Sequence, residues 1–206
     1  MKPLVIDLFC GLGGWAEGFL AEGWRVVGFD IIDMSAEFGF SKPDYFYLVL
    51  QDVLTIHGSQ FKNAGLIVCS PPCQAYSYRA MPWKRAKALP PPDNALFDAC
   101  FRIQREACES AGRYIPMVVE NVCGAQKWVG KAKWHGGSMY LWGDVPALMP
   151  FGKYRKQNGG SSWFYDNYQN SALRFSSRSK QRKEWSAQIA KIPFWLAQHI
   201  AKAYKP

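Results

Sequence analysis

Short apolar segments alternate with amphipathic segments along the first 122 residues of the chain. The apolar segments with the length and composition of buried strands are residues 4–9, 24–30, 47–50, 66–70 and 117–122. Helical periodicity is found in residues 15–22, which stop at Gly23, and in residues 94–111. Strands that alternate with helices predict an α/β fold with a doubly wound, mostly parallel sheet.

The predicted strands lead into polar residues at their carboxyl ends. These residues are Asp7, Asp30, Asp52, Cys73 and Glu120. In an open parallel sheet the carboxyl ends of the strands share one edge, and ligands bind in the crevice outside that edge. We therefore expect the five side chains to converge on a single crevice.

Cys73 follows the fourth predicted strand in the motif Pro71-Pro72-Cys73-Gln74. Because prolines fix their own φ and push the preceding residue into extended geometry, the thiol is expected on a stiff turn. A thiol presented in this way is a candidate nucleophile, although a small buried hydrophobe after a turn would show the same local pattern. Cys69 and Cys73 have no second Cys/His pair at ligand spacing, so we predict no structural metal site.

A glycine turn, residues 10–14, separates the first predicted strand from the first predicted helix. Such a turn can hold a polar cofactor through backbone N–H groups, and the acid that ends the second strand suits ribose hydroxyls. The turn lacks the glycine spacing of a dinucleotide fingerprint and the Gly-Lys-Ser/Thr of a phosphate loop. It therefore favours a nucleoside-containing cofactor, with a tight structural turn as the alternative.

Charge and composition point to a nucleic-acid partner. The net charge is +9, and residues 150–185 contribute six of these charges through eight basic residues and two acidic ones, interleaved with aromatics. We predict a short basic target-recognition region there, with a charged solvated excursion as the alternative. A catalytic and cofactor-binding domain is then expected at residues 1–149 and 186–206.

The cysteines and the apolar runs bear on the compartment. Six cysteines scattered through an ordinary-sized chain predict reduced thiols and a cytoplasmic, nucleoid-associated protein. The sequence has no apolar run of membrane-spanning length and no signal-peptide order, so no membrane association is expected.

Three motifs together resemble those of the DNA cytosine-5 methyltransferases, in order and in spacing. They are Asp7-Leu8-Phe9-Cys10-Gly11-Leu12-Gly13-Gly14, Pro71-Pro72-Cys73-Gln74 and Glu120-Asn121-Val122. Residues 188–193, with a helix predicted to follow as far as Tyr204, resemble the last motif of that family. The resemblance covers about residues 1–148 and 186–206 and is to small, single-domain phage and bacterial members.

The resemblance implies a Rossmann-like, S-adenosylmethionine-dependent methyltransferase that acts as a monomer on double-stranded DNA. Cys73 would add to C6 of a flipped cytosine, Glu120 would donate a proton at N3, and Asn121 would orient Glu120 or the base. The ribose would meet Asp30, and the adenine amino group would meet Asp52, for which a turn cap is the alternative. The cofactor-binding residues implied are Asp7, Phe9, Gly11, Gly13, Asp30, Asp52, Pro71 and Lys191.

The resemblance and the charge pattern also give a set of DNA contacts. Residues 75–92 are expected to form a mobile loop that closes over the flipped base. The DNA-binding residues implied are Gln74, Arg79, Lys84, Arg85, Lys131, Lys133, Arg155, Arg174 and Arg178. Lys131 and Lys133 form the nearest basic pair to the Gln-x-Arg-x-Arg motif of the family, which this sequence lacks.

Lys191 stands where the last motif of the family usually has Asn. A cation near the donor would repel a sulfonium and attract a carboxylate on the transferred carbon. An alternative activity is therefore carboxymethylation from carboxy-S-adenosylmethionine, unless Lys191 turns to solvent or to the donor's own carboxylate. Three further alternatives stay open, namely an RNA cytosine-5 methyltransferase, an inactive DNA-binding module and a thiol redox protein.

Overall fold

A computed structural model describes residues 2–38, 46–80, 84, 88–150 and 179–206, with the backbone alone for residues 78–80, 182 and 185. The strands are β1 Leu4–Leu8, β2 Arg25–Asp30, β3 Phe46–Leu50, β4 Leu66–Cys69, β5 Met117–Asn121, β6 Trp134–Gly136 and β7 Met139–Gly143. The helices are α1 Gly14–Ala21, α2 Met34–Phe38, α3 Gln74–Ala80, α4 Ala95–Ala111, α5 Gln126–Val129, α6 Lys180–Ala190 and α7 Phe194–Ala203.

The strands form one seven-stranded sheet in the order β3-β2-β1-β4-β5-β7-β6. The pairs among β1 to β5 are parallel, and β7 is antiparallel to both β5 and β6. The chain moves outward from β1 to β3, returns to β4 beside β1, and continues through β5. The sheet is therefore doubly wound with a switch point between β1 and β4, which confirms the predicted Rossmann-like fold class.

Two apolar cores cover the two faces of the sheet. On one face, α1 and α7 bury a cluster that includes Trp15, Phe19 and Leu196. On the other face, α4 packs with the two 3₁₀ turns Val53–Thr55 and Gly58–Phe61 over a cluster that includes Ile103. Because the central strands are covered on both sides, β4 is buried at all four positions, which is why its sequence is a continuous apolar run.

The sequence predicted the first five strands to within one residue at either end. It did not predict α6, which begins within the proposed recognition region, or the hairpin of β6 and β7. Residues 75–92 were expected to be a loop, and this expectation is wrong for α3, because the chain turns helical directly after Cys73. No helix among the described residues is long and apolar enough to cross a bilayer.

The helix that follows the glycine turn packs closely on the C-terminal helix. A Cβ added at Gly18 of α1 would lie 2.4 Å from the Cβ of Ala197 on α7. The Gln198 side chain donates a hydrogen bond to Glu22 (2.8 Å), and the Trp24 indole N–H donates to the Ala201 carbonyl (3.2 Å). The C-terminal segment therefore fixes the position of α1 relative to the sheet.

Gly18→Ala is expected to lower the free energy of unfolding by about 1–3 kcal/mol, because the added methyl group overpacks the contact with α7. In an unpacked helix interior the same change would raise stability. The measurement is urea unfolding followed by circular dichroism. Glu109→Ala on the exposed side of α4 serves as the control and should stay within about 0.5 kcal/mol, whereas an unchanged or raised stability for Gly18→Ala would contradict the close contact.

Candidate active site

The register of the parallel strands brings their carboxyl ends to one edge of the sheet. Leu8 of β1 lies beside Phe29 of β2 and beside Cys69 of β4, and Cys69 lies beside Val119 of β5. β1 and β4 end at this level, whereas β2 continues for one more residue to Asp30 and β5 for two more to Asn121. The polar groups that this edge collects are Asp7, Asp30, the turn from Ser70 to Cys73, Glu120 and Asn121.

The glycine turn between β1 and α1 depends on left-handed backbone conformations. Gly11 and Gly13 have φ values of 51° and 73°, and Phe9 has a φ of 60°, which is uncommon for an aromatic residue. A Cβ added at Gly11 would meet no atom within 4 Å among the described residues. The turn is therefore a strained loop with open space above its backbone, as is found where a ligand approaches the main chain.

Asp30 links the end of β2 to this turn. Its Oδ2 accepts a hydrogen bond from the Gly11 N–H (2.9 Å), and its Oδ1 accepts from the N–H groups of Ile31 (2.8 Å) and Ile32 (3.3 Å). A carboxylate offers about four acceptor sites, two on each oxygen, so one site stays open on Oδ2. Asp30 can therefore fix the glycine turn and still receive a hydroxyl donor from a ligand.

Asp7 lies on β1 below the glycine turn and is completely buried. Neither carboxylate oxygen has a hydrogen-bond partner among the described residues. Burial, and to a smaller extent the nearby Asp30 carboxylate, raises the pKa of Asp7 well above its usual range. A buried acid without a partner is costly, and it marks a place where a cationic or hydrogen-bonding group can be received.

The turn that carries Cys73 is held from both sides. On the side of β1, the Ser70 N–H donates to the Leu8 carbonyl (3.1 Å), and the Trp15 indole N–H donates to Ser70 Oγ (2.9 Å). On the side of β5, the Asn121 side-chain amide donates to the Pro71 carbonyl (2.9 Å). The backbone on which the thiol sits is therefore bonded to both neighbouring strands.

Asn121 has a different partner from the one expected. Besides donating to Pro71, its Oδ1 accepts from the Val122 N–H (2.8 Å), so both ends of the amide are bonded to backbone groups. The amide thus holds the proline turn, and the expected orientation of Glu120 or the base by Asn121 stays a prediction. Glu120 precedes Asn121 on β5, points to the opposite side of the strand, and is 7% exposed.

Cys73 is half-buried, and its carbonyl begins α3. That carbonyl accepts from the N–H groups of Tyr76 (3.0 Å) and Ser77 (2.8 Å). The Tyr76 hydroxyl donates to Asn94 Oδ1 (3.0 Å), and the Asn94 amide donates to the Trp128 carbonyl (3.4 Å). The helix after the thiol is therefore fixed to α4 and α5, which explains why this part of the predicted loop is ordered as a helix.

Lys191 is bonded to α1. Its Nζ lies 2.5 Å from Glu17 Oε1, and both side chains are about one-third exposed. The same segment closes on the start of α1, where a Cβ added at Gly14 would lie 2.5 Å from the Ile192 nitrogen. The ammonium group thus has a carboxylate partner on the helix that follows the glycine turn.

The remaining predicted site residues are Asp52 and the nine DNA-binding residues. Asp52 caps the 3₁₀ turn Val53–Thr55, because its Oδ1 accepts from the Leu54 N–H (2.9 Å). Four predicted DNA-binding residues are exposed, namely Gln74, Lys84, Lys131 and Lys133. Five lie outside the described residues, wholly or in their side chains, namely Arg79, Arg85, Arg155, Arg174 and Arg178.

Sequence reasoning missed several groups at this edge. Trp15 and Ser70 were read only as parts of a helix and a strand, and the bond between them spans 55 residues of sequence. Ile31 and Ile32 are exposed apolar side chains, 67% and 43%, directly after Asp30. Two consecutive isoleucines directly after a polar strand end are the sequence pattern that could have indicated an exposed apolar surface here.

Comparisons with known proteins agree with these motifs. A profile of the family described as C-5 cytosine-specific DNA methylase matches residues 4–124. The Type II methyltransferase M.AplI of Arthrospira platensis is 32% identical over 75 residues, which cover 36% of this chain and 21% of that protein. The chain thus matches about one-fifth of the length of that curated relative.

Two solved structures are also similar in part. The Dnmt2 methyltransferase of S. pombe covers 63% of this chain and 37% of its own, with 16% identity and a TM-score of 0.44. The methyltransferase EhMeth of Entamoeba histolytica covers 63% of this chain and 41% of its own, with 19% identity and a TM-score of 0.40.

Asp7→Asn is expected to raise the free energy of unfolding at neutral pH. The folded chain holds the Asp7 proton more tightly than the unfolded chain. Because the unfolded chain releases this proton above about pH 4, the free energy of unfolding of the wild type decreases as the pH rises beyond that value. The amide cannot ionise, so thermal unfolding followed from about pH 4 to pH 8 should show a flatter profile for the variant. The exposed control Glu109→Gln should leave the profile unchanged, and a variant less stable than wild type at neutral pH would contradict a protonated, unpartnered acid.

Proposed function

Because the chain belongs to the C-5 cytosine-specific DNA methylase family, we propose that it methylates C5 of cytosine in double-stranded DNA, with S-adenosylmethionine as the donor. The observation that carries this proposal is the shared edge of the sheet. There a thiol on a turn bonded from both sides and a buried carboxyl group lie at the ends of neighbouring strands, next to the open glycine turn.

Cys73 is proposed as the nucleophile. Cytosine C5 is a weak nucleophile by itself, and addition of the Cys73 thiolate to C6 converts the ring into an enamine whose C5 can attack an electrophile. The addition places negative charge on the ring, and a proton or hydrogen bond from Glu120 at N3 would relieve it. After alkylation a base removes the C5 proton, the C5–C6 double bond re-forms, and the thiolate leaves C6.

The positions of the two groups support these roles. The Cys73 turn has one hydrogen bond to β1 and one to β5, so the nucleophile can be held against the ring with little loss of entropy on reaction. Glu120 is buried on the strand next to the one that leads to Cys73, and its carboxyl group is the proposed proton donor to N3. The base that removes the C5 proton is proposed to be a water molecule near the proline turn.

The glycine turn and its neighbours fit the proposed donor. The space over Gly11 can receive the donor, Phe9 and Gly13 shape the turn, and Asp30 can accept from ribose hydroxyls. The Asp7 carboxyl group has no partner among the described residues and, as a protonated acid, can donate a hydrogen bond to a polar group of the donor. When bound, S-adenosylmethionine supplies an electrophilic methyl group. Pro71, Ile31 and Asp52 complete the proposed set, with Asp52 placed against the adenine amino group in addition to its cap.

The DNA contacts belong to the proposal as well. The target cytosine must leave the duplex to reach Cys73, so the enzyme must hold the phosphates on either side of it. Lys84, Lys131 and Lys133 are exposed cations suited to that task, and Gln74 is an exposed amide next to the nucleophile. Arg79, Arg85, Arg155, Arg174 and Arg178, with the basic region of residues 150–185, are proposed to complete the DNA surface.

Cys73→Ser is expected to lower the turnover number by at least about a thousandfold, because a serine hydroxyl is a far weaker nucleophile than a thiolate. The measurement is methyl incorporation into duplex DNA, with the product nucleosides identified by mass spectrometry. Cys108→Ser, a half-buried thiol at the end of α4, should keep wild-type activity. Full turnover by Cys73→Ser would contradict the proposed reaction.

The same assay separates the alternative classes. Methylation of transfer RNA instead of duplex DNA would support the RNA cytosine-5 methyltransferase. Binding of DNA by the wild-type protein without any transfer would support an inactive binding module. Thiol–disulfide exchange without any transfer would support a redox protein.

Carboxymethylation from carboxy-S-adenosylmethionine is the second candidate activity, and Lys191 is the residue that suggests it. Its ammonium group is paired with Glu17, which favours a role in holding α1 and leaves less positive charge for a donor carboxylate. We therefore place ordinary methyl transfer first.

The wild-type enzyme is expected to give 5-methylcytosine with S-adenosylmethionine and no modified cytosine with carboxy-S-adenosylmethionine, whose transferable group is carboxymethyl. Lys191→Asn should change kcat/KM for S-adenosylmethionine less than about threefold, while its loss of the partly exposed ion pair costs at most about 1 kcal/mol of stability. Glu17→Gln is the matched variant that removes the other partner. Carboxymethylcytosine formed by the wild type and lost in Lys191→Asn would establish the second candidate instead.

A further inference from the structure

We infer that the hydrogen bond from Trp15 to Ser70 holds the proline turn, residues 70–73, against the glycine turn. Trp15 and Ser70 are then positioning residues for Cys73. The inference rests on the proposed function for its effect on turnover. Its effect on the reactivity of the thiol is independent of any methyl transfer. Neither residue needs to touch the donor or the base, because each acts through the turn.

Trp15 is placed to connect the two turns. It is the second residue of α1, directly after the glycine turn, and its side chain is 1% exposed. An indole N–H is a donor only, and a buried donor that loses its partner costs free energy. The partner that the structure gives it is Ser70 Oγ, at 2.9 Å.

Ser70 is placed to pass this constraint to the thiol. Its N–H bonds to the Leu8 carbonyl at the end of β1, so its backbone is fixed by the sheet one residue before Pro71, whose carbonyl accepts from Asn121 of β5. Between Ser70 and Cys73 lie two prolines, whose φ angles are fixed by their rings. With few free torsions in between, a displacement of Ser70 is carried to Cys73 and is not absorbed by the turn.

The bond complements the one made by Asn121 on the opposite side. Asn121 bonds to Pro71 from β5, and Trp15 bonds to Ser70 from α1. Pro71 is therefore bonded to β5, which carries the proposed acid Glu120. Ser70 is bonded to α1, which follows the proposed donor site at the glycine turn. Removal of the Trp15 bond should loosen the turn without removing any group from the chemistry.

The chain provides a matched control in Trp24. Its side chain is 2% exposed, lies in the same apolar core as Trp15, and donates its indole N–H to the Ala201 carbonyl at 3.2 Å. Trp24→Phe removes a buried indole bond of the same kind, but one that joins the residue before β2 to α7. A purely structural role for Trp15 would make the two tryptophan variants equivalent.

The experiment uses the full chain with Trp15→Phe, Ser70→Ala, the double variant and Trp24→Phe. The first readout is the rate at which iodoacetamide alkylates Cys73, followed by mass spectrometry of the peptide that contains it. Each single variant is expected to raise that rate about fivefold, because the loss of one hydrogen bond makes opening of the turn easier by that factor. The double variant should be no faster than either single variant, because both changes remove the same bond.

The second readout is steady-state methyl transfer. Trp15→Phe and Ser70→Ala should each lower kcat about fivefold, with KM for S-adenosylmethionine changed less than twofold. Trp24→Phe should lower the melting temperature but leave both the alkylation rate and kcat at wild-type values.

Two outcomes would overturn the inference. One is an alkylation rate in Trp15→Phe that equals the rate in Trp24→Phe. The other is a double variant in which the two single effects multiply. If the wild-type protein transfers no methyl group, the proposed function fails, and the alkylation rates still decide whether Trp15 and Ser70 hold the thiol.

Discussion

The parallel register of β1, β4 and β5 is the constraint on which the candidate site depends. It fixes Leu8, Cys69 and Val119 side by side, so that β1 and β4 end at one level and β5 continues past it through Glu120 and Asn121. From that point a glycine turn, a proline turn and a buried carboxyl group face one edge. A shift of one residue in any of these strands would turn its side chains to the opposite face and separate the groups.

The site is held by packing that lies mostly outside it. Phe9 has a left-handed backbone, and Asp7 is buried without a hydrogen-bond partner in the part of the chain that the structure describes, so both add free energy to the folded chain. The close contacts of Gly14 with Ile192 and of Gly18 with Ala197 fix α1 behind the glycine turn. The C-terminal segment thus has a structural role at the site, to which the ion pair of Lys191 with Glu17 contributes.

The sequence predicted the parts of this arrangement that depend on local pattern. Continuous apolar runs identified the central strands, and polar residues at their ends identified the edge where Cys73 and Glu120 lie. The bonds of Asn121 to Pro71, of Lys191 to Glu17 and of Trp15 to Ser70 could not be predicted, because each joins residues at least 50 positions apart. Helix α3 was missed because its start is set by the Cys73 carbonyl and its position by the Tyr76 bond to Asn94, and neither is a repeat in the sequence.

The most direct test of the account is to capture the bond between the thiol and the base. Duplex DNA that contains 5-fluorocytosine cannot release the C5 substituent, so an enzyme that adds to C6 stays attached to it. We predict that digestion of the complex formed with S-adenosylmethionine gives one peptide joined to the modified nucleotide, with the link at Cys73. A stable complex linked at another residue, or methylated DNA with no trapped complex, would contradict the central claim.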